Sequence, residues 1–273
     1  MILKSDDATL YATRDLGTDK FRLKKYGNDV VVINEVGAEQ SLYWQQIFTA
    51  EEMLGWYKKG QRYHLKHGLF RFNDSKMSTR KGNVIWLEDV LNNAVRKAKD
   101  VVEKSETVNN LSEKEKINIA ETVGIGAIKY SDLSHDPISD VVFDWNKALS
   151  FEGDTGPYLQ YTYVRANNIL KKATKWKEVF SYEKLSNEEK KLFSKLLQFP
   201  EIVEKSSREL KPHHICSYAH ELSSLFNTFY HMHPVLQIQD KNLKQFRLTL
   251  VKAFTYTLKN CLELLGIETP QAM

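Results

Sequence analysis

The sequence predicts a two-part fold: an incomplete parallel α/β layer over residues 1–150, followed by an all-α helical bundle over 151–273. Three observations carry this reading. Apolar residues in the first ~85 positions switch between helical and extended spacing, the strand signal ends after about Leu87, and from Thr155 onward the apolar pattern repeats at the helical period.

The elements follow in order. Thr13 to Tyr26 has helical periodicity with a basic exposed side, and Val30-Val31-Val32-Ile33 is a continuous β-branched run, as expected of a strand buried on both faces. Glu39 to Leu54 reads as a second helix and His64 to Phe72 as a second strand. Helix, strand, helix, strand with short connections is the pattern of a parallel layer. So few strands do not complete a doubly wound sheet, and the first residues already read as the middle of a folded unit. The expectation is a truncated layer. Helices are then predicted at 87–104 and 113–131, with an irregular stretch to about Ser150.

The second half is predicted to be an antiparallel bundle. In 213–233, Ile215, Tyr218, Ala219, Leu222, Leu225, Phe226 and Phe229 share one helical face. In 243–265, Leu243, Phe246, Leu250, Phe254, Leu258, Cys261 and Leu265 do the same, with Gly266 as the stop. In 155–173 the packing stripe is Leu159, Tyr163, Ala166, Leu170 and Ala173, while Tyr158, Tyr161 and Arg165 lie together on another face. Two rings and a guanidinium can stack on splayed RNA bases; half-buried tyrosines packing between helices are an equal reading.

Composition narrows the class. With 42% hydrophobic and 27% charged residues, the 273-residue chain has the balance of a globular protein. A formal charge of +4 and a pI near 8.8 lean mildly toward anionic partners. No apolar run approaches the ~18 residues that cross a bilayer, and the first residues lack the basic and apolar regions of a secretory signal. Cys216 and Cys261 form no CxxC pair and suggest no disulfide framework, so a reducing cytoplasm is expected.

Chemistry concentrates in a few strings. Asn73-Asp74-Ser75-Lys76-Met77-Ser78-Thr79-Arg80-Lys81-Gly82-Asn83 places cations, hydroxyls and glycine in one loop after a predicted strand. Such a loop can close on a polyphosphate, with Lys76 as point charge, Arg80 as fork and Ser78 as donor; a solvated basic turn is the plainer reading. Tyr11 and Asp15, four apart on a helix, can cradle a guanidinium between ring face and carboxylate, or can be an ordinary surface pair. Gln40 sits after the first predicted strand, at the carboxyl end where open α/β sheets bind ligands. Gly124-Ile125-Gly126 lacks the third glycine and preceding strand of a dinucleotide loop, which leaves close helix packing. His213, Cys216 and His220 have metal-ligand spacing and project opposite the apolar stripe, yet no second ligand pair accompanies them, so no metal is expected.

The Lys76-Met77-Ser78-Thr79-Arg80 string resembles the Lys-Met-Ser-Lys-Ser loop of class I aminoacyl-tRNA synthetases, and KMSTRKGN resembles the arginine-specific branch. SDDATLYATRDL at 5–16, VGAEQSLYWQQIF at 36–48, VGIGAIKYSDLS at 123–134, LSFEGDTGPYLQYTYVR at 149–165 and LKPHHICSYAHELSSLFNTFYH at 210–231 are similar to arginyl-tRNA synthetases in the same order. The resemblance implies a Rossmann-like nucleotide-binding catalytic half and a DALR-type anticodon-binding bundle. It implies ATP-dependent activation of L-arginine, with Mg²⁺, and transfer to tRNA(Arg). Tyr11, Asp15 and Gln40 match positions holding arginine. Lys76, Met77, Ser78, Thr79 and Arg80 match the ATP loop, with Lys76, Ser78, Arg80 and Lys81 as the catalytic set. Tyr158, Tyr161, Arg165, His213 and Asn227 match the tRNA-facing side.

The sequence departs from the family in three places. No His-x-Gly-His string occurs, and His64-Leu65-Lys66-His67-Gly68 does not replace it. Thr79 stands where the general loop has lysine, and Gln271-Ala272-Met273 lacks the arginine often found before the last methionine. The first departure implies that the N-terminal half of the enzyme is a required partner and that the chain alone is inactive. The rival reading is a non-catalytic RNA-binding or partner-binding module derived from a synthetase, which has no need to keep Tyr11, Asp15 and the Lys76 loop together.

Overall fold

The structure, a computed structural model, describes residues 4–72, 86–103, 108 and 110–273. The chain divides into two compact units: Met1–Leu69 with Pro137–Asp140, and Phe70–Asp136 with Val141–Met273.

The first unit holds α1 (Tyr11–Tyr26), β1 (Val32–Gly37), a 3-10 turn (Ala38–Gln40), α2 (Ser41–Met53) and β2 (Arg62–His67). The two strands pair in parallel, Val32 opposite Arg62 through Gly37 opposite His67. The predicted helix–strand–helix–strand order is therefore present, with one correction. The first strand is paired over Val32–Gly37 rather than Val30–Ile33, and it is covered on one face only. Val31 and Ile33 are about half exposed, because α2 packs on the side of Val32, Asn34 and Val36 while the alternate side chains point away. The predicted strand His64–Phe72 is also divided. Gly68 and Leu69 interrupt it, their N–H groups donating to Pro137 O and to Asp140 Oδ1, both at 2.8 Å.

The second unit begins with β3 (Phe70–Phe72) and continues through α3 (Leu87–Val102), α4 (Glu113–Leu133), β4 (Val141–Phe143) and α5 (Trp145–Ala148). It ends in five helices: α6 (Gly156–Lys172), α7 (Asn187–Leu197), α8 (Phe199–Glu209), α9 (His213–Met232) and α10 (Lys241–Leu264). The stretch expected to be irregular contains β4, which pairs in parallel with β3. Three residues paired some seventy positions away leave no periodic trace.

The helix starts have local causes. Ser112 and Ser186 close capping boxes with Glu115 and Glu189, Thr155 caps α6, and Asp240 caps α10. Gly266, at φ 67°, ends the last helix in the left-handed region that glycine enters at no steric cost. The glycines of α4 serve packing, as expected: a Cβ on Gly124 would lie 2.7 Å from the backbone carbon and oxygen of Ala94 on α3. The main core gathers Leu159, Tyr218, Leu222, Phe226, Phe229, Val251, Phe254 and Leu258, with Phe226 and Phe254 stacked at 3.9 Å. A second core holds Ala98, Val102, Ala120, Val123 and Val164 together with the terminal Met273.

Candidate functional site

Two constellations can be built from the residues upward, one in each unit. In the first, Tyr11 is the first residue of α1 and 81% exposed, and Asp15 follows one turn later. The orientation of α1 is set by Asp19, its one buried residue. Asp19 binds Arg62 of β2 (2.6 Å) and Arg22 (2.6 Å), and its backbone oxygen accepts from Tyr57 (2.9 Å). The Arg62 guanidinium lies between the rings of Phe48 and Tyr57, at 4.8 and 5.0 Å, and its Nε stands 2.7 Å from Glu51 of α2. That last approach is off the hydrogen-bond direction, so the ion pair is close without being well directed. Burial and the neighbouring Asp19 carboxylate push the Glu51 carboxyl up to about 8, against the opposing pull of Arg62.

With α1 held this way, Asp15 faces α2. The Tyr43 hydroxyl donates to its Oδ2, and burial together with this bond raises the Tyr43 pKa. Tyr43 stands one turn after Gln40, which ends the 3-10 turn beyond β1 and is exposed. Tyr43 thus ties Gln40's segment to Asp15. Sequence reasoning missed it, although the three-residue spacing from Gln40 was available as a signal.

The predicted phosphate residues Lys76, Met77, Ser78, Thr79, Arg80 and Lys81 lie outside the described residues.

In the second unit, α6 and α9 bring four predicted residues together. Arg165 Nη1 donates to Asn227 Oδ1 (2.8 Å), and Asn227 Nδ2 donates to the Tyr158 hydroxyl (2.9 Å). The Arg165 guanidinium lies over Tyr161 (4.7 Å) and over Tyr230 (5.7 Å), a ring not singled out from the sequence. Tyr158 and Tyr161 are each half-buried, packed against the two cores with one side open. Two open grooves flank this group, and Met273 reaches both.

His213 is not part of it. It opens α9, fourteen residues before Asn227, which is about 21 Å along a helix. Its ring packs on His214 at 4.3 Å, and burial together with that neighbour lowers its pKa. Cys216 corrects a second expectation: it lies inside the main core, not opposite the apolar stripe, and burial raises its thiol pKa. At Cys216 the face taken to be outside the stripe is covered by α4, whose Tyr130 hydroxyl donates to Cys216 O at 3.2 Å. Among the described residues there is no cluster of metal-ligating side chains, and no helix is long and apolar enough to cross a membrane.

Comparison with known proteins finds matches along the chain, and their boundary does not coincide with that of the two compact units. Residues 1–145 match the family model described as tRNA synthetases class I (R), catalytic domain, and residues 159–273 match the DALR anticodon binding domain. The chain is 41% identical to an arginine–tRNA ligase of Halothermothrix orenii, across all of this chain and 48% of that protein. It is 43% identical to the Fusobacterium nucleatum arginine–tRNA ligase, across 98% of this chain and 47% of that one. The arginyl-tRNA synthetase structure of Thermus thermophilus superposes with a TM-score of 0.87 at 28% identity, covering all of this chain and 50% of that one. The chain spans about half the length of the curated relatives it matches. A catalytic half, a DALR bundle and close relatives along the entire sequence place it in one family: the chain belongs to the arginyl-tRNA synthetases.

Proposed function

We propose that this chain supplies the C-terminal half of an arginine–tRNA ligase, which activates L-arginine with ATP and transfers it to tRNA(Arg). The observation that carries this is the continuous order of a class I (R) catalytic match over 1–145 and a DALR match over 159–273. The functional boundary falls near residue 150. In this reading Tyr11, Asp15 and Gln40 hold the arginine, with Tyr43 orienting the carboxylate. Tyr158, Tyr161 and Arg165 face tRNA, Asn227 braces them, and His213 meets tRNA elsewhere. ATP with Mg²⁺ is a substrate that meets the Lys76–Lys81 segment, and the setting is cytoplasmic. Guanidinium recognition by a ring and a carboxylate favours arginine over lysine, because only a planar fork satisfies both.

The remaining partner is the polypeptide that corresponds to the other half of the relatives. The first unit is consistent with this need: its described buried hydrophobics are Trp44, Ile47 and Tyr57 alone, and its parallel sheet, of a kind normally covered on both sides, has an open apolar face at Val31, Ile33 and Tyr63. Arginine-dependent ATP–pyrophosphate exchange tests the reading. The chain alone with arginine, ATP and tRNA stays at background, and exchange appears when the N-terminal half of a relative is added. Exchange by the chain alone would overturn the division of labour, and tRNA binding without exchange in the mixture would favour a non-catalytic RNA-binding module.

A further inference from the structure

We propose that Arg62 is a positioning residue for arginine recognition: from β2 it fixes the rotation of α1, and with it the direction of the Asp15 carboxylate. The inference rests on the reading that Tyr11 and Asp15 hold the arginine, and deepens it by assigning what holds them in place.

The rotation of a helix is ordinarily set by a buried apolar stripe. In α1 the one buried residue is a carboxylate, Asp19, while Leu16 and Leu23 are half-buried. Tyr11, Asp15 and Asp19 succeed one another at four-residue spacing, so they form one line along the helix that drifts by only about 40° per step. A turn of α1 that moves Asp19 therefore moves Asp15 with it.

Arg62 grips Asp19 with both arms of its fork. Nη2 donates to Oδ2 at 2.6 Å and Nη1 to Oδ1 at 3.3 Å, and the two side chains are buried. The rings of Phe48 and Tyr57 hold the guanidinium plane, and the Tyr57 hydroxyl donates to Asp19 O at 2.9 Å. Arg22 also binds Asp19, but it belongs to α1 and turns with it, so it cannot set the rotation. Two parallel N–H···O bonds from a planar fork specify an angle, whereas a lysine ammonium is a point charge that specifies only a distance. Gln40 and Tyr43 stand at the start of α2, so a turned α1 would carry Asp15 away from both. The predicted ATP residues, Lys76 to Lys81, are on neither helix, which makes the expected defect specific to arginine.

The test uses the enzyme assembled from this chain and the N-terminal half of a relative, with arginine-dependent pyrophosphate exchange as readout. Arg62→Lys raises the KM for arginine by about tenfold and leaves the KM for ATP within about twofold. Tyr57→Phe, which keeps the ring and the ion pair, raises the arginine KM by about two- to threefold and serves should Arg62→Lys fail to fold. In an Asp15→Asn background neither substitution raises the arginine KM further, because the group they position is already gone. A purely stabilising role predicts otherwise: a lower melting temperature and a lower apparent kcat from fewer folded molecules, with the arginine KM unchanged. If Asp15→Asn raises the arginine KM but Arg62→Lys and Tyr57→Phe do not, or if their effects add to that of Asp15→Asn, the positioning role is overturned and the Asp15 reading stands. If Asp15→Asn itself leaves the arginine KM unchanged, the Asp15 reading fails and the role of Arg62 with it.

Discussion

The hydroxyl of Tyr43 on α2 donates to a carboxylate oxygen of Asp15 on α1, joining two residues 28 positions apart. One oxygen of Asp15 is thereby engaged by Tyr43. The two residues are separable in an enzyme assembled from this chain and the other half. Asp15→Asn removes the charge opposite a guanidinium and should cost about 2–4 kcal/mol, or roughly 30- to 1000-fold in kcat/KM for arginine. Tyr43→Phe should cost less, about 0.5–1.5 kcal/mol, because it removes one orienting hydrogen bond and no charge. The KM for ATP should move little in either variant. Equal losses for arginine and ATP would make Asp15 structural.

Glu51 gives a pH dependence with a definite sign. Its folded pKa is raised from 4.5 to about 8, so the folded state holds this proton more tightly than the unfolded chain does. The stability it contributes is fully present below about pH 4.5 and is lost as pH rises toward 8. Glu51→Gln keeps the shape in its neutral form. Urea midpoints should show a steeper loss between pH 5 and 8 for the parent than for the variant, with the two close together at about pH 5. A variant that is markedly weaker only at high pH would mean that the Arg62–Glu51 pair outweighs burial, and the sign would be reversed.

Two glycines separate a close contact from an idle one. Gly124→Ala drives a Cβ to 2.7 Å from the Ala94 carbonyl, a backbone group that cannot step aside, and should destabilise by about 1–3 kcal/mol. Gly17 lies within α1 with nothing within 4 Å of an added Cβ. Gly17→Ala should stabilise by about 0.5–1 kcal/mol through the unfolded chain alone. Thermal melts of the two variants check both signs.

How much of this was legible in the sequence follows from the range of each interaction. The long helices were, because Ile215 to Phe229 and Phe246 to Leu265 repeat an apolar stripe over several turns. The short strands were legible only as runs of β-branched residues. Which of Val30 to Val36 pair with β2, and which face is covered, depends on where α2 lands. β4 left no trace, since Val141–Phe143 is a strand only by virtue of Phe70–Phe72. For the site, helical spacing predicted Tyr11 with Asp15 (i,i+4) and Tyr158 with Tyr161 and Arg165 (i,i+3,i+7). The partners that fix them, Tyr43, Asn227 and Tyr230, come from other helices, and helical projection carries no information about those. The Asp19–Arg62–Glu51 cluster was invisible for the same reason: each residue alone reads as an ordinary surface charge.

Asn227 allows the last prediction to separate bracing from contact. Its acceptor is engaged by Arg165 and its donors by Tyr158 and Thr162, so its polar atoms are directed at the protein. Arg165 has one nitrogen on Asn227 and the face of its guanidinium against two rings, which leaves other N–H groups for a phosphate or a base. Arg165→Ala should therefore lower tRNA affinity and, if a phosphate is contacted, reduce the slope of log affinity against log salt by about 0.7 to 0.9. Asn227→Ala should instead lower thermal stability by about 1–3 kcal/mol, by leaving two half-buried polar groups unpaired, and leave the salt slope unchanged. Tyr158→Phe keeps the ring and loses only the acceptor for Asn227, so its cost should appear in melting temperature before affinity. Melting temperature and tRNA affinity measured together on the full chain distinguish the roles. An Asn227→Ala protein with an unchanged melt and a reduced salt slope would move Asn227 from brace to contact, and an Arg165→Ala protein that binds tRNA normally would return the whole cluster to the packing of α6 against α9.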